Sequence, residues 1–220
     1  MDSSLIQTIV VYALPVIFAI TLHEAAHGYV ARMLGDNTAY VLGRVSFNPM
    51  RHIDPIGTIL MPLIGALAPG GFPLLAWGKP VQTNPRAYRG ISPRNGNMLV
   101  SLMGPFMNLV LALAISILLV VVAHVVKLPT SLAVGAIRYF LVLNISLMFF
   151  NLLPVPPLDG GSVLAALLPD SLQTIPRVLQ RYGMLILFAL LLTGAMSVIM
   201  YPAYQLAGAW ARVVMRLMYG

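Results

Sequence analysis

Two histidines one helical turn apart, set in a stretch too apolar for a soluble domain, limit this chain more than any other feature. The stretch begins near Leu5 and closes on Leu22-His23-Glu24-Ala25-Ala26-His27-Gly28. Residues four apart on a helix lie on one face, so His23 and His27 can offer their imidazoles to one Zn²⁺, with Glu24 beside the metal but not bound to it. A carboxylate so placed can take a proton from water acidified by the metal. That is the working half of a metallohydrolase. A lone histidine on an apolar face is usually only packed there, and a three-position motif also arises by chance. The membrane setting weighs against both readings, because an ionisable residue at the centre of a transmembrane helix costs roughly 2.5–3.5 kcal/mol on insertion scales. Three of the chain's ten histidine and acidic residues nevertheless fall in this window.

Composition places the motif in a membrane. Of 220 residues, 59% are hydrophobic and 9% charged, and the mean hydropathy is +0.88, far from the values of soluble domains. No polar stretch is long enough for a separate soluble domain. The expected organisation is one membrane-embedded domain over residues 1–220, with a core at 5–168 and C-terminal helices at 169–220. Cysteine is absent, so a metal site must draw on His, Asp and Glu. The net charge of +7 comes from Lys and Arg scattered singly over the polar connections. Such scatter fits the positive-inside rule and argues against a nucleic-acid partner. Met1-Asp2-Ser3-Ser4 lacks a basic segment, so the first helix is expected to be retained rather than cleaved as a signal.

Taken in order, Leu5 to about Leu34 reads as one helix, with Pro15 as a possible kink and Gly35-Asp36-Asn37 at its end. Arg32, Arg44, Arg51 and His52 follow, which puts this end on the cytoplasmic side and the amino terminus outside. Ala39 to Phe47 is β-prone and bounded by turn residues, so a short β-hairpin is expected; its edge could receive an extended peptide, or it could be an ordinary surface hairpin. Asp54-Pro55 starts a helix as N-cap and first residue. The apolar segment that follows is broken by Pro69-Gly70-Gly71-Phe72-Pro73 and flanked on both sides by basic residues, so a re-entrant hairpin over 56–76 is favoured over a crossing. Asn97 to about Val126 and Leu132 to Leu153 read as an outward and a returning helix. Asn108 within the first of them is a polar group in hydrocarbon, suited to an interhelical hydrogen bond that sets packing or to a catalytic role. Met184 to about Ile199 is a last apolar segment that Pro202 ends or bends. The tail to Gly220, with Arg212 and Arg216, has a helical pattern and either lies on the surface or continues the span. The fold class is thus an all-α polytopic membrane protein of about four to six transmembrane helices, with a membrane-associated hairpin and a short β-hairpin after the first helix.

Two histidines leave zinc short of the three protein ligands usual at catalytic sites. Pro154-Val155-Pro156-Pro157-Leu158-Asp159-Gly160-Gly161 cannot continue a helix, and it holds Asp159 on a rigid loop. Asp159 could be the N-cap of a short helix over Ser162 to Leu168. As a ligand its one serious competitor is Asp54. If 56–76 re-enters, Asp159 returns to the side of the membrane that carries His27.

His-Glu-Ala-Ala-His, Gly-Pro-Phe-Met-Asn and Asn-Leu-Leu-Pro-Val-Pro-Pro-Leu-Asp-Gly-Gly, in this order, resemble the site-2 protease family of intramembrane zinc metalloproteases, in its compact branch without PDZ or CBS domains. The resemblance covers roughly Leu5 to Leu168. It implies one Zn²⁺ per chain held by His23, His27 and Asp159, Glu24 as general base, and Asn151 assisting at the scissile carbonyl. It also implies a multi-pass protein of the cell membrane whose active site faces the cytoplasm. There it would cut a transmembrane client, within the lipid bilayer and close to that face. A rival of another class is a small ion transporter or channel using the His/Asp cluster, since intramembrane ionisable groups and broken helices mark those proteins as well.

Overall fold

The computed structural model describes residues 14–60, 77–126 and 130–219. Among the described residues the principal helices are α1 (Leu14–Met33), α2 (Pro93–Val126), α3 (Thr130–Asn151), α4 (Asp159–Leu167), α5 (Thr174–Leu192) and α6 (Ala195–Tyr219). No strand occurs among the described residues. The start of the first helix before Leu14 and the middle of the expected hairpin, 61–76, lie outside them.

Helix α2 organises the rest, packing against α1, α3 and α4. Its 34 residues amount to about 51 Å at 1.5 Å per residue, more than the ~30 Å hydrocarbon thickness of a bilayer. Where α1 packs on its neighbours, it buries Ala19, Ala25, Ala26, Gly28 and Ala31. Small side chains let helix axes approach closely, and that closeness brings the α1 histidines up to α2. On α6, Met196, Met200, Ala203, Ala207, Ala211, Val214 and Met218 form a buried stripe at three- and four-residue spacing. The stripe packs with Leu141 and Ile145 of α3. The C-terminal tail is therefore a core helix rather than a surface appendage. Two helical segments, Pro93–Val125 and Asp170–Leu192, are long and apolar enough to cross a membrane. Ile117, Leu118, Val121 and Val125 on the first, and Leu185 and Leu192 on the second, are exposed, the face that lipid would cover.

Two sequence expectations are corrected. Instead of a β-hairpin at 39–47, Thr38–Val41 forms one helical turn followed by irregular chain. The cause lies just upstream: Asp36 Oδ1 accepts hydrogen bonds from the Thr38 amide and hydroxyl, which starts a helical turn that β-propensity does not overcome. The apolar segment Met184 to Ile199 is two helices, because Gly194 adopts φ 74° and ends α5, while Pro202 sits inside α6. Left-handed backbone at a helix end is the ordinary place for glycine.

Both ends of the 56–76 stretch are described, and they meet. Asp54 caps Pro55–Leu60, a single wide turn, through Oδ1 to the Ile56 and Gly57 amides. Trp77 N donates to Gly57 O at 3.1 Å, Thr58 Oγ1 donates to Trp77 O at 2.8 Å, and Lys79 N donates to His52 O at 2.7 Å. From there an extended strap, 77–84, runs along α1.

Candidate metal centre

His23 and His27 leave α1 on its face toward α2, and both are more than nine-tenths buried. Their Nε2 atoms stand 3.1 Å apart, with the rings edge-on at an interplanar angle of 85°. Asp159 completes the cluster, Oδ2 at 3.2 Å from His23 Nε2 and Oδ1 at 3.4 Å from His27 Nε2. One ligand atom from each of the three residues lies within 4.8 Å of the others. Among the described residues no other group of three or more His, Asp or Glu side chains is so disposed. Asp54, the competing aspartate, is not in this cluster and spends Oδ1 on its cap.

Local sequence explains how each group arrives. The turn spacing of α1 brings the two imidazoles together. Asp159 is the first residue of α4, not its N-cap, since Leu158 occupies that position. A Cβ on Gly160 would collide with the carbonyls of Leu152 and Leu153, so the glycine lets the first turn of α4 lie directly against the end of α3. That contact carries the carboxylate to the histidines.

Three observations fit a cation between these residues. His27 Nδ1 is 2.7 Å from Val100 O; a carbonyl only accepts, so Nδ1 carries the proton and Nε2 presents a lone pair. Asp159 Oδ2 is buried and has no hydrogen-bond partner, a costly state for a carboxylate oxygen unless something positive meets it. A Cβ on Gly104 of α2 would fall against Nε2 of both histidines, so the glycine leaves open the space before both of these ring nitrogens. Two imidazoles and a carboxylate are a donor set that suits Zn²⁺ with a position left open.

Glu24 lies outside the ligand cluster, and its Oε2 accepts from Val81 N of the strap at 3.0 Å. Asn151, the last residue of α3, gives one Nδ2 hydrogen to Leu147 O at 3.0 Å. Its second Nδ2 hydrogen remains available. Glu24, Asn151 and the three cluster residues line one cavity of about 640 Å³, walled also by Trp77, Val100, Phe150 and the α5 residues Met184, Leu187, Phe188 and Leu191. Asn108 is fully buried, and neither its Oδ1 nor its Nδ2 has a partner. The interhelical hydrogen bond expected of it is not formed.

Sequence reasoning missed Gly104, the Val81 amide and the α5 wall. Gly104 stands at the head of Gly-Pro-Phe-Met-Asn, so its motif was visible and its purpose was not. The other two become apparent only once the strap and α5 have folded back over α1.

Comparison with known proteins agrees with this chemistry. The family described as Peptidase family M50 matches residues 11–136 and 121–194. A Bacillus subtilis (strain 168) protein named "Putative zinc metalloprotease YwhC" is 35% identical over 190 residues, which are 84% of this chain and 82% of that one. "Putative zinc metalloprotease Rip2" of Mycolicibacterium smegmatis is 31% identical over 183 residues, 82% of this chain and 66% of the relative. Its Mycobacterium tuberculosis (strain H37Rv) namesake is 26% identical over 200 residues, 89% and 73% of the two chains. No solved structure gave a significant match. With the motifs, the cluster and these likenesses together, the chain belongs to peptidase family M50, the site-2 proteases, and is a zinc metalloprotease.

Proposed function

We propose that this metalloprotease hydrolyses a peptide bond within or next to a transmembrane helix of a client protein, near the cytoplasmic face, as a step of regulated intramembrane proteolysis. His23, His27 and Asp159 hold the zinc, Glu24 is the general base and Asn151 an oxyanion donor. The observation that carries the reading is the convergence of all five side chains on one cavity whose remaining walls are largely apolar helix. The protein acts as one membrane-embedded unit, and its partners are the bilayer and the client.

Zinc bound there supplies Lewis acidity, polarising the scissile carbonyl and lowering the pKa of water. The residues do the rest. Glu24, with Oε2 held by the Val81 amide, keeps Oε1 free to take the proton of the attacking water and return it to the leaving amine nitrogen. The free Nδ2 hydrogen of Asn151 serves the developing oxyanion. His27 is fixed by its Nδ1–H bond to Val100 O, which keeps Nε2 directed at the metal. A client helix has to unwind before its carbonyls are reachable, because helical peptide groups are already hydrogen-bonded.

Glu24→Gln tests the assignment directly. The variant should retain about one zinc per chain by elemental analysis and lose cleavage of a quenched transmembrane peptide by about 10²–10⁴-fold, the usual worth of a general base. Full cleavage by the variant, or wild-type protein without zinc, overturns the reading.

A further inference from the structure

One face of α2 carries Asn97, Ser101, Gly104 and Asn108 at four-, three- and four-residue spacing. Gly104 marks the metal, since its missing side chain clears the space before both Nε2 atoms. Asn97 and Ser101 lie on the same face, nearer the start of the helix, and both line the active-site cavity. Neither is used by the chemistry above. Ser101 is only 8% exposed, yet among the described residues neither its hydroxyl nor the Asn97 side-chain amide has a hydrogen-bond partner. Unlike both polar atoms of Asn108, Ser101 Oγ is not sealed off from solvent. Its hydroxyl therefore has open space before it, and that space is the cavity.

We propose that Asn97 and Ser101 form a main-chain recognition subsite that binds the extended client next to the scissile bond, on the side of the metal toward the start of α2. The proposal rests on the peptidase reading and adds where the substrate lies. The spacing supports it. At 1.5 Å per residue, Ser101 stands about 4.5 Å and Asn97 about 10.5 Å along the helix axis from Gly104. Those two intervals match roughly one and three residues of extended peptide at ~3.3 Å each. Side-chain groups about 6 Å apart on the helix thus meet main-chain groups of alternate substrate residues, which point the same way. The α5 wall of Met184, Leu187, Phe188 and Leu191 is left for apolar side chains. The subsite accordingly recognises an unwound apolar segment by its backbone, whatever its side chains.

The test uses the zinc-loaded full chain in detergent and three zinc-binding probes: acetohydroxamate, and two hydroxamates carrying a three-leucine arm on the amino or the carboxyl side. In wild type one armed probe should bind tighter than acetohydroxamate. Asn97→Ala and Ser101→Ala should each lose about three- to tenfold of that gain, the usual span for one hydrogen bond, with zinc content and acetohydroxamate affinity unchanged. Ser101→Thr, which keeps the hydroxyl, should recover it. An arm gain equal in wild type and both alanine variants, or no gain from either arm, overturns the subsite while leaving the metalloprotease reading intact. Failure of acetohydroxamate to bind zinc-loaded wild type overturns that reading and the subsite with it.

Discussion

Gly104 shows how much of this site depends on an atom that is not there. Both histidines are brought to α2 by helix packing, and a methyl group at position 104 would meet their Nε2 atoms. Gly104→Ala should therefore weaken zinc binding by about 10–100-fold, the range for disturbing the groups that set ligand orientation. Chelator competition on the purified protein measures it. Gly135→Ala, where an added Cβ meets nothing, should keep wild-type affinity, and equal losses in both variants would sink the argument. The histidines and Glu24 were legible in the sequence because an i, i+4 pair needs only the geometry of its own helix. Topology and ligand count made Asp159 a candidate beside Asp54, and the resemblance of its Leu-Asp-Gly motif singled it out. Gly104 was not legible as a spacer, since its role depends on the distance between two helices, which no local pattern encodes.

At the scale of elements, the strap that holds Glu24 is itself held by Asp36. This carboxylate is buried; Oδ1 accepts from the Thr38 amide and hydroxyl, and Oδ2 from Asn84 N at 2.6 Å. Arg89 N adds a bond to Leu34 O at 2.7 Å, so 77–89 is tied at several points to the end of α1. Burial pushes the Asp36 carboxyl up, but the bonds from Asn84 and Thr38 outweigh it and hold the group below the usual carboxylate range. A depressed folded-state pKa means that the stabilisation is fully present above the ordinary value of about 4 and is lost as pH falls through the folded-state value. Asp36→Asn should then be less stable at pH 7 by about 1–3 kcal/mol, and the gap to wild type should close below about pH 4. Thermal unfolding of both proteins without metal, so that zinc release plays no part, reads the difference. A gap that stays constant down to acid pH would remove the carboxylate from this role. The same residue explains why 39–47 was misread: its sequence is β-prone, and the deciding interaction is one side chain capping a turn two residues on. The strap was visible in the sequence only as a Gly-Lys-Pro break, because its bonds are to residues far along the chain.

For the whole molecule, the question is which ends share a side of the membrane. Arg94 Nη1 meets Asp170 Oδ1 at 2.8 Å, and Arg94 Nε donates to Ala166 O at 3.0 Å. The start of α2 and the approach to α5 are therefore neighbours. His52 with Lys79, and Gly57 with Trp77, join the two ends of the 56–76 stretch, so whatever leaves at 57 comes back beside it. Val125, 77% exposed, lies at the far end of α2, about 50 Å away by helix length. These contacts predict one side for positions 50, 92 and 171 and the opposite side for 125, and the positive-inside rule predicts that the side of the first three, with its basic residues, is the cytoplasmic one. The absence of cysteine makes the experiment clean, since each of Met50→Cys, Ser92→Cys, Ser171→Cys and Val125→Cys introduces the one thiol present. A membrane-impermeant maleimide applied to vesicles of known orientation should label the first three only from the cytoplasmic face and the fourth only from the other. Ser92 and Ser171 reporting on opposite faces would break the Arg94–Asp170 juxtaposition. Met50 and Ser92 on opposite faces would make 56–76 a crossing, and the chain would then have to carry Asp159 to the histidines by another route.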